Sequence, residues 1–88
     1  MIERRATIVN QEGLHVRPAA RLVRLASTFE VDIALGNDGV EADGKSILQV
    51  MMLAAEYGSS ITIRAKGPDA EQAIEALAAL VADGFGEE

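Results

Sequence analysis

The chain holds a single histidine, and its neighbours make it the first candidate for chemistry. His15 stands in Gly13-Leu14-His15-Val16-Arg17-Pro18-Ala19, where a loop gives way to apolar residues at helical spacing. The first backbone N–H groups of a helix have no internal partner, and with the helix dipole they favour an anion at that end. Val16 and Arg17 carry such groups; Pro18 has none to offer. Arg17 adds a fork of donors beside the imidazole. An imidazole nitrogen is a nucleophile at neutral pH, so a histidine set among amides and an arginine can accept a phosphoryl group and hold it. A lone histidine ahead of a helix is ordinarily a solvated loop residue or a weak cap. The chemical reading rests on every neighbour having a role in anion binding. Charge-assisted hydrogen bonds are each worth roughly 1.5–3 kcal/mol, so one arginine and a few amides make a moderate clamp that lets the group leave again. No general base stands beside it, and the site reads as flat rather than as a cavity.

Arg17, Arg21 and Arg24 fall on one line of the same helix at about 100° per residue, opposite Ala19, Leu22, Val23 and Ala26. That stripe is either a solvated face or a docking surface for an acidic partner. A second segment, Asp43-Gly44-Lys45-Ser46-Ile47-Leu48-Gln49, opens another helix. Ser46 and Gln49 match the S-x-x-Q capping box, which is reason enough for the serine. The helix that follows is apolar all round. Val50, Leu53, Ala54 and Tyr57 can fill a core, whereas Ile47, Leu48, Met51 and Met52 project elsewhere. So small a domain cannot bury both sets, and the surplus should form an exposed patch for partners. A phosphate on Ser46 would sit at a helix N-terminus, where its charge is tolerated, and would alter docking without unfolding the chain.

The elements that must position these residues follow from period and punctuation. A strand is expected over residues 3–10 and a helix over 16–27, with Pro18 in its first turn. Residues 31–35 alternate as a strand. Gly36-Asn37-Asp38-Gly39 reads as a turn, and residues 40–42 return as a hairpin. A helix over 46–57 closed by Gly58, a strand over 60–66 and a helix over 69–83 complete the order. Asp69 and Gln72 again resemble a capping box, and Gly84 ends the last helix. The order β-α-β-β-α-β-α, with a hairpin and strands that are polar on one face, predicts an α+β open-faced sandwich. Its sheet is antiparallel or mixed, with helices on one side.

Composition narrows the function classes. At 88 residues there is room for one domain, 1–88. Without cysteine, disulfide scaffolds, thiolate nucleophiles and iron–sulfur ligation are excluded, and a single histidine argues against a structural zinc site. No apolar run is long enough for a membrane span or a signal peptide, so a cytoplasmic location is expected. A net charge of −6 and 3% aromatics argue against nucleic acid as partner. The charge is uneven: from Gly67 to Glu88 the chain has Asp69, Glu71, Glu75, Asp83, Glu87 and Glu88 and no Lys or Arg.

Taken together, the two motifs and the element order resemble the HPr family, histidine phosphocarriers of the bacterial phosphoenolpyruvate:sugar phosphotransferase system. The family's active-site pattern G-[LI]-H-[AT]-R-P-A matches at Gly13, Leu14, His15, Arg17, Pro18 and Ala19. Val16 departs from the usual Ala or Thr, mildly, since that position contributes its backbone. The regulatory-serine pattern K-S-I-[ML]-x-[VL]-[ML] matches from Lys45 through Met51, with Gln49 in place of the common Gly or Ala. The resemblance implies a four-stranded antiparallel sheet with three helices on one face. It also implies a carrier rather than an enzyme, without metal or cofactor. His15 would take a phosphoryl group on Nδ1 from enzyme I and pass it to an enzyme IIA domain, steadied by Arg17 and the Val16 and Arg17 amides. Ser46 would be the target of HPr kinase/phosphorylase, linking the chain to carbon catabolite regulation, with a transcriptional regulator as a further partner. Arg21, Arg24, Ile47, Leu48 and Met51 would belong to the partner interface. The alternatives are a regulatory relative in nitrogen or metabolic control, and a ferredoxin-like ligand-binding domain, which would lack the histidine loop.

Overall fold

Along Ser60–Lys66 the side chains alternate, and the alternation sorts them: Ile61, Ile63 and Ala65 are buried, while Lys66 is exposed and Thr62 and Arg64 are half-exposed. This strand is a central strand of the sheet in the computed structural model, which describes residues 1–87. The order is β1 (Ile2–Thr7), α1 (Val16–Ala26), β2 (Asp32–Asn37), β3 (Val40–Asp43), α2 (Ile47–Met52), β4 (Ser60–Lys66) and α3 (Ala70–Ala82), followed by a 3₁₀ turn at Gly84–Gly86. The four strands lie in the order β1-β4-β2-β3, every pairing antiparallel. Ile61 and Ile63 face Ala6 and Arg4 across one edge of β4, and Ile63 and Ala65 face Leu35 and Ile33 across the other. The helices cover the apolar face, giving the α+β open-faced sandwich. Leu22, Val50, Ile74, Leu77 and Val81 close the core against the sheet. No helix among the described residues is long and apolar enough to cross a membrane.

Element ends differ from the sequence reading for local reasons. β1 stops at Thr7 rather than residue 10, although Ile8 still exchanges backbone bonds with Ser59 O and Gly58 N at 2.8 Å. β2 runs through Gly36 and Asn37, which pair with Glu41 and Val40. The turn is therefore Asp38-Gly39 alone, both at positive φ (56° and 83°), the two-residue form that suits strand twist. α3 lacks the expected cap: the Asp69 side chain makes no capping bond. A backbone turn does that work, Ala70 N–H donating to Gly67 O at 3.2 Å.

The largest correction is α2, which ends at Met52 and not at residue 57. Val50 and Leu53 are buried as expected, but Ala54 and Tyr57 are exposed, Tyr57 to 65%. The reason lies in competing hydrogen bonds. The Leu53 carbonyl accepts from Asn37 Nδ2 at 3.0 Å. The Ala55 carbonyl accepts from Leu14 N–H at 2.9 Å. Ala54 turns to φ +53° to leave the helix. The carbonyl that holds Leu14 would otherwise lie in a last helical turn, so the helix stops where the histidine loop needs support.

Candidate functional site

The loop before α1 is held from beneath. Besides the Leu14 bond to Ala55, Gly13 N–H donates to Asn10 O at 3.1 Å, and His15 N–H donates to Gly13 O at 3.0 Å. Gly13 sits at φ +69°, and a Cβ there would lie 2.5 Å from the Ala55 carbonyl oxygen, so only glycine fits. His15 becomes the N-cap of α1 with extended backbone and no side-chain capping bond. Its carbonyl takes the first helical bond, from Ala19 N–H at 3.0 Å. Pro18 has no N–H, so among the described residues the amides of Val16 and Arg17 are left as the open donors of the first turn.

The imidazole is half-buried, its side chain 34% exposed, in an open depression of about 390 Å³ lined by Asn10, Gln11, Glu12, His15, Arg17, Arg21, Gly86 and Glu87. Arg17 is exposed in that depression and has no hydrogen bond or ion pair among the described residues. Its guanidinium is available to an anion beside the ring. The site is thus less flat than its sequence suggests.

The described residues also place a carboxylate on the ring, which sequence reasoning missed. His15 Nε2 lies 3.3 Å from Glu87 Oε2 and 3.4 Å from Oε1. Glu12 Oε1 is farther, at 3.9 Å. Buried Asn10 links the pieces: its Nδ2 donates to Gly13 O at 2.8 Å and to Glu87 Oε1 at 3.2 Å. Glu87 reaches the site because the end of the chain folds back as a strap. Gly84, Phe85 and Gly86 take positive φ in succession (64°, 59° and 74°). The Phe85 ring, 1% exposed, anchors them in the core. Arg21 Nη1 donates to the Phe85 carbonyl. The arginine stripe is therefore divided: Arg17 and Arg21 face the depression, Arg21 tied to the strap, while Arg24 lies in the last turn of α1 outside it. The signal for the strap was present in Gly-Phe-Gly-Glu, an apolar anchor between glycines, in an acidic segment whose natural counterpart was the basic stripe.

Ser46 stands apart from the depression as N-cap of α2, accepting from Gln49 N–H at 3.2 Å. The return bond of a full capping box goes elsewhere, since Gln49 Oε1 accepts from Asp43 N–H at 2.9 Å. Ile47, Leu48 and Met52 are exposed to 44%, 69% and 67%, forming the apolar surplus expected on this helix. Met51 differs: it is half-buried and packs against the core. No group of three or more His, Cys, Asp or Glu side chains that could hold a metal occurs among the described residues.

Known proteins are similar to this chain in sequence and fold. The family model described as "PTS HPr component phosphorylation site" matches residues 2–83. The phosphocarrier protein HPr of Cupriavidus necator is 46% identical over 87 residues, covering 99% of this chain and 98% of that protein. The phosphocarrier protein NPr of Proteus mirabilis is 44% identical over 86 residues, covering 97% and 96%. The crystal structure of HPr-C-His from Thermoanaerobacter tengcongensis superposes with a TM-score of 0.95 at 41% identity, covering 100% and 99% of the two chains. With the fold, the histidine loop and these full-length matches in agreement, the chain belongs to the HPr family of phosphocarriers of the phosphotransferase system.

Proposed function

We propose that this single domain takes a phosphoryl group on His15 Nδ1 from phosphorylated enzyme I and delivers it to a histidine of an enzyme IIA domain in the cytoplasm. The observation that carries the reading is the pair of amides, Val16 and Arg17, and the Arg17 guanidinium beside the imidazole at one helix start, all three without a partner among the described residues. In the forward step the Nδ1 lone pair bonds to phosphorus, and the bond from phosphorus to the donor's nitrogen breaks, its electron pair staying with the donor ring. The Val16 and Arg17 amides and the Arg17 guanidinium meet the phosphoryl oxygens, which carry the charge. The reverse bonding change passes the group onward. No bond of the chain is hydrolysed and the chain ends as it began, a carrier and not a catalyst.

Regulation belongs to the other helix start. Ser46 is the target of HPr kinase/phosphorylase, and Ile47, Leu48 and, at its exposed margin, Met51 meet partners together with Arg21 and Arg24. A phosphate on Ser46 places negative charge at the edge of that apolar surface. A carbon catabolite role, through a transcriptional regulator that recognises this form, follows from the same site.

The test is transfer of label from phosphoenolpyruvate through enzyme I. Wild type takes up acid-labile label, as a P–N bond is, and His15→Ala takes up none; label retained in His15→Ala refutes the reading. A second reading, a carrier in nitrogen or metabolic control without sugar transport, is favoured by the NPr relative, which is nearly as similar as the HPr one. Delivery rates to a IIA domain of each branch separate the two.

A further inference from the structure

The ring of His15 has two nitrogens, and one of them is already engaged. Nε2 faces both oxygens of Glu87 at 3.3 and 3.4 Å. A carboxylate only accepts, so Nε2 is the nitrogen that carries the proton, and Nδ1 keeps its lone pair. The carboxylate is not a passing contact. Asn10, buried to 7% exposure, holds it through Nδ2 and at the same time holds the Gly13 carbonyl two residues before the histidine. The backbone behind it is fixed by the buried Phe85 ring and by the Arg21 bond to the Phe85 carbonyl. The Asn10 amide orientation is set by these two acceptors, since the opposite one would turn its oxygen toward both.

We propose that Glu87 is a positioning residue for phosphoryl transfer, directing the group to Nδ1 and balancing the charge that the ring gains. This rests on His15 being the acceptor. When neutral imidazole bonds to phosphorus through Nδ1, its Nε2 proton stays, and the ring becomes a cation. The Glu87 carboxylate lies against the N–H where that charge is shared. When the phosphoryl group leaves, the Nδ1–P electron pair returns to Nδ1 and the ring is again neutral with Nε2–H. Neither direction then requires a proton to be moved. Glu12, at 3.9 Å, adds a weaker charge of the same sign. Arg17 and the amides act on the other side of the reaction, on the phosphoryl oxygens.

The experiment compares wild type, Glu87→Gln and Glu87→Ala on the full chain, with potassium phosphoramidate as a small phosphoryl donor so that enzyme I is not involved. Nitrogen-15 NMR of the unmodified proteins reads which ring nitrogen bears the proton and how fast it exchanges. Phosphorus-coupled spectra of the products read which nitrogen bears phosphorus. Wild type should show a slowly exchanging Nε2 proton and phosphorylation at Nδ1. Glu87→Ala should lose the slow exchange and raise the share of Nε2 product by about tenfold, the low end of what a charge-assisted hydrogen bond is worth. Glu87→Gln, which keeps an acceptor oxygen without the charge, should fall between. Glu87→Ala should also lower the melting temperature slightly, since buried Asn10 loses an acceptor, while Glu87→Gln keeps one and should melt near wild type. An unchanged ring proton in Glu87→Ala, or a lost slow proton with an unchanged product ratio, overturns the proposal. The ring-proton result stands independently of enzyme I, so a failure of enzyme I to label His15 refutes the carrier reading alone.

Discussion

At the scale of residues, the site separates two demands that one side chain could not meet. In the proposed function His15 supplies the nucleophile, while the Val16 and Arg17 amides and the Arg17 guanidinium supply the positive surroundings. Arg17→Ala should therefore leave folding intact, because the side chain is exposed and unpaired among the described residues. It should slow phosphoryl uptake by about tenfold or more, the loss of one charge-assisted hydrogen bond. Rapid-quench kinetics with phosphorylated enzyme I read this, and an unchanged rate means that the amides suffice. Ser46 makes a different prediction. Ser46→Ala removes the bond to Gln49 N–H and should cost about 0.5–2 kcal/mol in denaturant unfolding. Ser46→Asp keeps a capping oxygen and adds charge near the positive end of the helix dipole, so its melting temperature should stay near wild type. Transfer from enzyme I should nevertheless fall in Ser46→Asp. Equal transfer would reduce the serine to a helix cap.

At the scale of elements, the histidine loop and the strap are positioned by parts of the chain far away in sequence, and this separates what was legible from what was not. β4 and the buried stripe of α3 could be read from period alone, because each has a wet face and a dry face. The site loop could be read from its local pattern, since every residue in it acts on its neighbours. α2 was overextended because an apolar run without a breaker looks helical, whereas its end is set by Asn37 and Leu14 claiming the Leu53 and Ala55 carbonyls. Glu87 was missed as a site residue because it is 72 residues from His15, and no local pattern announces a contact of that range. The strap was missed because Gly84 reads only as the end of the last helix; in the structure the burial of Phe85 offsets the cost of three successive positive φ values. Two element-scale outcomes follow. Gly13→Ala should destabilise by at least about 1–3 kcal/mol from its φ alone, before the clash with Ala55 O is counted. Phe85→Ala should cost less than the roughly 3–5 kcal/mol of an interior phenylalanine, because the strap can fray locally instead. Hydrogen exchange checks the second: the Gly86 and Glu87 amides, bonded to Asp83 O and Gly84 O, should lose protection while β4 keeps it.

At the scale of the whole molecule, an acidic protein with a net charge of −6 presents a basic face on α1. Fields of opposite sign on one small body orient it during encounter, and screening acts over about 10 Å at 0.1 M salt. Association with an acidic partner should slow as salt rises, chiefly through the on-rate, and Arg24→Glu should weaken it without altering transfer inside the bound complex. On the proposed function, the exposed apolar surface of Ile47, Leu48 and Met52 would supply contact area once the two bodies are oriented. The central claim, that this chain carries one phosphoryl group on one histidine between two other proteins, is tested most directly by a single labelled chase. Protein labelled through enzyme I and freed of it is mixed with a IIA domain, and the label is followed by rapid quench. The account predicts one acid-labile label per chain, on His15, passing completely to the IIA domain. Label that stays on the chain, or that sits on a hydroxyl ester and survives acid, contradicts it.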